Sequence, residues 1–264
     1  MTRFLSGAVL IAVVGAAVLW APSPVLLGLA TVVVVLAVHE YVALAKAAGA
    51  PVPRGATVIA ALAVSAVVAL ATSFVSLVIV AVVLAQAIRA IGSRQPLAGA
   101  LPGVAASVFG PLYVGFPLGA LVAVHAAAGP AAALMLIGII AVSDTAQYYG
   151  GRLFGRRQLA PVISPKKTIE GAVTGVIVAT IAFVALGQWL WPGARAPFLA
   201  FFGLVIAVLG IAGDLFESLL KRSVGVKDSS TLIPGHGGVL DRIDALLFAA
   251  PVYYAMLPYA VRTS

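Results

Sequence analysis

The chain contains no cysteine, which excludes disulfide scaffolds, thiol catalysis and thiolate-held metal or iron–sulfur sites. Charge is scarce. Asp, Glu, Lys and Arg make up 9% of the 264 residues, against about 25% in soluble domains. Acidic residues are rarer still, eight against sixteen Lys and Arg. Hydrophobic side chains account for 62%, and the few polar ones cannot cover a water-soluble fold of this size. A soluble single domain and a disordered chain are therefore excluded too. The P-loop pattern G-x-x-x-x-G-K-[ST] is absent: Gly-Arg-Leu-Phe-Gly-Arg-Arg at 151–157 fails it, and there is no H-E-x-x-H. No low-complexity linker and no internal repeat stands out. What remains is an all-α polytopic membrane protein.

Crossing the hydrocarbon core takes about 20 apolar residues. The apolar runs predict nine spans, at 4–21, 25–45, 56–72, 74–91, 100–127, 130–149, 171–192, 198–220 and 241–261. Pro102, Pro111 and Pro117 mark the fifth as kinked or re-entrant. The first follows Arg3, but Trp20-Ala-Pro-Ser-Pro24 offers no clear small-x-small cleavage site, so it reads as an uncleaved helix. With the loops at 150–170 and 221–240 in the cytoplasm, nine alternating spans put fourteen of the sixteen Lys and Arg inside. Only Arg195 and Arg262 then lie outside. The positive-inside rule thus favours an N-terminus in and a C-terminus out. The net charge of +8 belongs to this asymmetry rather than to nucleic-acid binding. A basic inner face also attracts anionic lipids and phosphorylated substrates.

Seven of the eight acids, Asp144, Glu170, Asp214, Glu217, Asp228, Asp241 and Asp244, fall between 144 and 244; Glu40 is the eighth. Residues 1–140 therefore read as transmembrane scaffold and 141–264 as the catalytic region of one integral membrane domain. Asp214, Glu217, Ser218 and Lys221 stand at i, i+3, i+4 and i+7, one stripe of a helix. Asp241 and Asp244 share a face at the start of the ninth span. Carboxylates at membrane depth are costly, so this cluster needs cations. Lys221, Arg222 and Arg242 supply them as structural ion pairs on one reading. On the other, the hard oxygen set of Asp214, Asp241 and Asp244 holds a divalent metal, Mg²⁺ rather than Zn²⁺. Both readings stand on spacing alone.

Two loops carry the remaining signals. Lys227-Asp-Ser-Ser-Thr-Leu-Ile-Pro-Gly-His-Gly-Gly238 contains tight-turn dipeptides whose glycines let backbone N–H groups approach an anion. A plain turn would not need Lys227, Asp228 and His236 beside it. Ser164-Pro-Lys-Lys-Thr-Ile-Glu-Gly171 predicts Ser164 as N-cap and Pro165 as first residue of the seventh helix. Lys166 and Lys167 at a helix N-terminus suit a phosphate, although inner-boundary lysines also satisfy topology. Asp144, Gln147, Tyr148 and Gly151 form a further stripe leading into this loop. His39 and Glu40 in the second span read either as a hydrogen-bonded pair or as the lining of a polar cavity. His125 reads as structural.

The segment Ser218–Asp244 has the skeleton S-x-x-K-R-x-x-x-x-K-D-x-x-x-x-x-P-G-H-G-G-x-x-D-R-x-D. It resembles the signature of the phosphatidate cytidylyltransferases, or CDP-diacylglycerol synthases. Asp144-Thr-Ala-Gln-Tyr-Tyr-Gly150 and Ser164–Gly171 resemble that family's upstream segments, so the likeness spans roughly residues 140–250. Gln147 interrupts the usual run from Ala to the aromatic residues. The resemblance implies a many-helix inner-membrane protein with a cytoplasm-facing polar cavity. It implies that CTP and phosphatidate give CDP-diacylglycerol and pyrophosphate with Mg²⁺, with a second cation, divalent or K⁺, left open. A homodimer is implied by resemblance alone. Asp214, Asp241 and Asp244 match the positions expected to hold metal. Lys166, Lys167, Lys221, Arg222, Lys227, Asp228 and His236 fall on catalytic or phosphate-contacting positions. Asp144, Ser164, Thr168, Glu170, Glu217 and Arg242 match positions of less defined role around the nucleotide.

Two other classes compete. One is a different CTP-using lipid enzyme, an ether-lipid CDP synthase or a polyprenol kinase. The other is a transporter with carboxylate relays, which would explain intramembrane Asp but not the basic, Gly-rich loops. The D-G-x-x-A-R…G-x-x-x-D-x-x-x-D pattern of CDP-alcohol phosphotransferases is absent.

Overall fold

In the computed structural model, residues 14–93, 97–233, 235 and 237–261 are described. Arg3, Arg94, His236, Arg262 and the start of the first expected span lie outside the described residues. Residues 14–20 are helical. Eight helices follow: α1 (Ser23–Ala47), α2 (Arg54–Leu70), α3 (Val75–Ile91), α4 (Ala100–Gly110), α5 (Phe116–Phe154), α6 (Ile169–Leu190), α7 (Ala196–Ser223) and α8 (Leu240–Val261). Among the described residues, six helical segments are long and apolar enough to cross a membrane, and α2 is a shorter apolar helix. One of the six, Leu97–Phe154, runs through α4 and α5. Gly129 breaks it with φ 80°, a left-handed value open to glycine, and Pro130 follows. This divides it where the fifth and sixth expected spans meet. The chain is a multi-pass helical membrane protein.

The chain divides into two compact units. The first comprises Met1–Ala17, Ala21–Ala123 and Leu220–Ile243, so the segment with most of the signature packs with the N-terminal helices. Small residues permit close helix approach in this unit, as membrane helices without a hydrophobic drive between them require. A Cβ at Gly115 would stand 2.4 Å from the Ala61 carbonyl oxygen, and one at Gly119 2.4 Å from that of Ser65. The turn Pro111–Gly115 is a π-helix. Pro111 brings no N–H to the ladder there, and the local widening re-aims the chain. Tyr41 donates its hydroxyl to the Ala106 carbonyl at 2.9 Å and its ring joins Phe109 and Tyr113. Leu77, Val80, Leu84 and Ile88 of α3 stay exposed, as a face toward acyl chains would.

The second unit comprises Val18–Trp20, Val124–Leu219 and Asp244–Ser264. Phe183, Phe202 and Tyr253 form its aromatic core, and the buried Tyr253 hydroxyl donates to the Ala132 carbonyl at 2.9 Å. His125 has the structural role expected, with Nε2 3.0 Å from the Val18 carbonyl. Helices α5 and α6 touch at Gly171, where a Cβ would lie 2.7 Å from the Gln147 carbonyl oxygen.

The sequence did not predict a hairpin in this unit. Strand β1 (Gln158–Ala160) pairs antiparallel with β2 (Ser164–Thr168), Gln158 opposite Thr168 and Ala160 opposite Ser164. The expected helix start at Ser164 is therefore corrected: residues 164–168 are extended, and α6 begins at Ile169. Thr168 is the N-cap, its Oγ1 accepting from Gly171 N–H at 3.1 Å. Strand pairing outcompetes the Ser-Pro helix signal because Pro165 is equally compatible with an extended edge position.

Candidate active site

In the second unit, the candidate residues centre on the hairpin. Lys167, in β2, carries its ammonium to the Asp214 carboxylate on α7. Both side chains are about one-quarter exposed, and Asp144 interacts electrostatically with both. Asp144 is itself exposed and accepts from Gln147 Nε2 at 3.1 Å. Gly213 lets α7 meet α8 closely, since a Cβ there would lie 2.6 Å from the Asp244 carbonyl oxygen. Asp214 and Asp244 are thus brought onto one helix contact. The Asp244 carboxylate accepts from the Ala245 N–H at 2.7 Å. Glu217, one turn beyond Asp214, is fully buried.

Glu170 has a defined task here. Its carboxylate accepts from the backbone N–H groups of Arg156 and Arg157 at 3.0 and 3.1 Å and from Arg157 Nε at 3.1 Å. It ties the end of α5 to the start of α6 around the hairpin, and the N-terminal position favours its charge. Lys166 alternates away from Lys167 along the strand and is exposed. Ser164 is half-buried in the strand. A cavity of about 500 Å³ is lined by Leu153, Phe154, Gly155, Arg156, Arg157 and Glu170.

In the first unit, Lys221 near the end of α7 meets Asp241 at the start of α8, Nζ to Oδ1 at 2.5 Å. This pair is secluded, its side chains 11% and 5% exposed. The other Asp241 oxygen accepts from Gly238 N–H at 2.7 Å, Ser229 N–H at 2.9 Å and Ser229 Oγ at 2.8 Å. One carboxylate therefore gathers the glycine loop around itself. Gly225, Gly235 and Gly237 adopt φ 73°, 79° and 78°, the left-handed values that make glycine the fitting residue at these turns. Ile233 bridges to Gly237, its N–H donating at 2.8 Å. Lys227, Asp228, Arg222 and Arg242 are exposed, with Arg222 Nη1 donating to the Val226 carbonyl at 2.9 Å.

The residue that sequence reading left unassigned is Glu40. It is 4% exposed and accepts from Ser230 Oγ at 2.6 Å, Leu240 N–H at 2.7 Å and Val239 N–H at 3.0 Å; Ser229 Oγ lies 3.0 Å away, its single proton serving either Glu40 or Asp241. The alternative of a His39–Glu40 pair is set aside: His39 is exposed and Glu40 points inward, as adjacent helical residues do. The signal available was its solitude, as the one acid among the first 143 residues.

The donor chemistry of Asp214, Asp241 and Asp244 fits a hard cation. In this structure Lys167 holds Asp214 and Lys221 holds Asp241. Among the described residues, no three His, Asp or Glu side chains form a ready metal-binding group.

Fold and site define a multi-pass membrane protein with a lysine–aspartate pair in each unit, the first unit's Asp241 also binding a glycine loop. The model of the cytidylyltransferase family matches residues 1–260, and the chain belongs to that family. It is 42% identical over 149 residues to a phosphatidate cytidylyltransferase of Helicobacter pylori, covering 55% of this chain and 54% of that protein. It is 40% identical over 156 residues to one of Thermotoga maritima, with 57% and 58% covered. A Pseudomonas aeruginosa protein of the same name is 44% identical over 116 residues, with 44% and 43% covered. The chain spans about half the length of the curated relatives it matches.

Proposed function

We propose that this protein is a phosphatidate cytidylyltransferase of the cytoplasmic membrane, its site open to the cytoplasm, making CDP-diacylglycerol and pyrophosphate from CTP and phosphatidate. The observation that carries this reading is the pairing of motif lysines with motif aspartates, Lys167 with Asp214 and Lys221 with Asp241, in a chain of the cytidylyltransferase family.

A phosphate monoester has its second pKa near 6, so phosphatidate arrives largely as a dianion and needs no base. The task is to bring it to a triphosphate without prohibitive repulsion. A phosphatidate oxygen attacks the α-phosphorus of CTP; a new P–O bond forms there, and the bond to the oxygen bridging the α- and β-phosphorus breaks, releasing pyrophosphate. Lys167, Lys221, Arg222 and Lys227 neutralise the phosphates and the charge that develops on pyrophosphate, usually the largest catalytic contribution. Lys166 supports this as a nearby positive charge. Backbone N–H groups of the glycine loop add fixed dipoles.

Asp214, Asp241 and Asp244 are the proposed ligands of Mg²⁺, which when bound would clamp phosphate oxygens and offset their charge. Lys167 and Lys221, paired with Asp214 and Asp241, are the ammonium groups of this site that would meet phosphate oxygens. Detergent-purified protein incubated with CTP, Mg²⁺ and phosphatidate should release pyrophosphate and form CDP-diacylglycerol, and Asp241→Asn should lose most turnover at limiting Mg²⁺. Product formed only from an ether lipid or a polyprenol, or normal turnover by Asp241→Asn, would overturn the substrate or the metal assignment respectively.

A further inference from the structure

Glu40 belongs to α1, a helix otherwise built of scaffold residues, yet every hydrogen bond described above for its carboxylate goes to the signature loop. Oε1 accepts from the Ser230 hydroxyl and the Val239 amide, and Oε2 from the Leu240 amide; the Ser229 hydroxyl also reaches Oε2, its one proton going either there or to Asp241. One buried side chain therefore fastens both ends of the loop, where it leaves Asp228 and where it enters α8. The amides at 239 and 240 are donors that a helix start leaves unsatisfied, and the positive end of the helix favours an anion there. Burying a carboxylate costs heavily unless such donors meet it, so Glu40 and the loop hold each other.

The contact reaches the site through one hydroxyl. Ser229 Oγ lies 3.0 Å from Glu40 and 2.8 Å from Asp241 Oδ2, and its backbone N–H also donates to Asp241. A Cβ at Gly238 would fall 2.1 Å from Ser229 Oγ and 2.5 Å from both Glu40 oxygens. The second glycine of the Gly-Gly pair is thus the space that lets the carboxylate seat. We infer that Glu40 is a positioning residue for cytidylyl transfer: it sets the loop and, through Ser229, the orientation of the Asp241 carboxylate. This rests on the function proposed above.

The test uses the full chain in detergent with Glu40→Gln, Glu40→Asp and Ser230→Ala. Gln keeps the shape but offers one acceptor oxygen in place of two. Its kcat/KM for CTP should fall roughly tenfold to a hundredfold, the loss that a misplacement of about 1 Å brings. Hydrogen exchange at 229–233 and 239–240 should speed up while α6 and the Phe183 core keep their protection. Glu40→Asp, which retains the charge, should recover part of the loss, and Ser230→Ala should show the same local loosening to a smaller degree. Unchanged kcat/KM in Glu40→Gln, or protection lost equally across all helices, would overturn the inference. The exchange readout needs no substrate. Absence of turnover in the unaltered protein defeats the proposed function, whereas normal turnover with an unaltered loop in Glu40→Gln defeats the role of Glu40.

Discussion

Lys221 and Arg157 each pair with a carboxylate, but their surroundings give the two pairs different weight. Asp241 is 5% exposed at its side chain, so removing Lys221 leaves a buried charge with less compensation. Such losses cost about 3–5 kcal/mol. Arg157 is 73% exposed, and Glu170 keeps two backbone donors without it. Exposed pairs are worth about 0–1 kcal/mol. Lys221→Met should therefore lower the unfolding midpoint in detergent markedly, and Arg157→Met should leave it nearly unchanged. Equal shifts would show that seclusion of the Asp241 pair does not govern its contribution. The same contrast explains why residue spacing left the Asp cluster open between ion pairs and metal. Spacing identifies acids that share a helical face, but a partner arriving from a distant segment, such as Lys167 for Asp214, has no local period to announce it.

At the level of elements, the start of α6 separates two readings of Ser164–Gly171. A helix beginning at Ser164 would make that hydroxyl the cap; the hairpin moves the cap to Thr168. Thr168→Ala should cost about 1 kcal/mol, the usual worth of an N-cap, and Ser164→Ala much less. Thermal melts of the two variants side by side check this, and a larger effect at Ser164 would restore the earlier helix start. The helical, membrane-spanning character was legible, because long apolar runs broken by Gly and Pro report on the chain alone; among the described residues six segments are long enough to cross, not nine. The hairpin was not legible. Three- and five-residue strands are too short for a periodic signal, and the Glu170 carboxylate that receives Arg156 and Arg157 beside them lies thirteen or fourteen positions along the chain.

For the whole molecule, the proposed topology puts the hairpin and the glycine loop on the cytoplasmic side and the segment between α6 and α7 on the other. The absence of native cysteine makes this directly measurable. Cysteine introduced at Val162 or Val226, both exposed, should react with an impermeant maleimide only after the cells are opened. Cysteine replacing Gly193, also exposed, should react in intact cells. Labelling of Val162→Cys in intact cells would reverse the orientation and move the site away from cytoplasmic CTP.

Composition alone determined that this is a helical membrane protein, since an apolar chain with so few charges can satisfy its backbone in lipid only by spanning helices or a closed barrel, and its runs have helical length. The run of motif residues at 218–244 pointed to nucleotide and phosphate chemistry, because those side chains lie close together along the chain. Only tertiary structure decided which lysine meets which aspartate, that residues 164–168 are extended, and that Glu40 anchors a loop roughly two hundred positions away. Contacts at that separation depend on helix packing and on buried donors finding acceptors, neither of which leaves a mark on neighbouring residues in the chain.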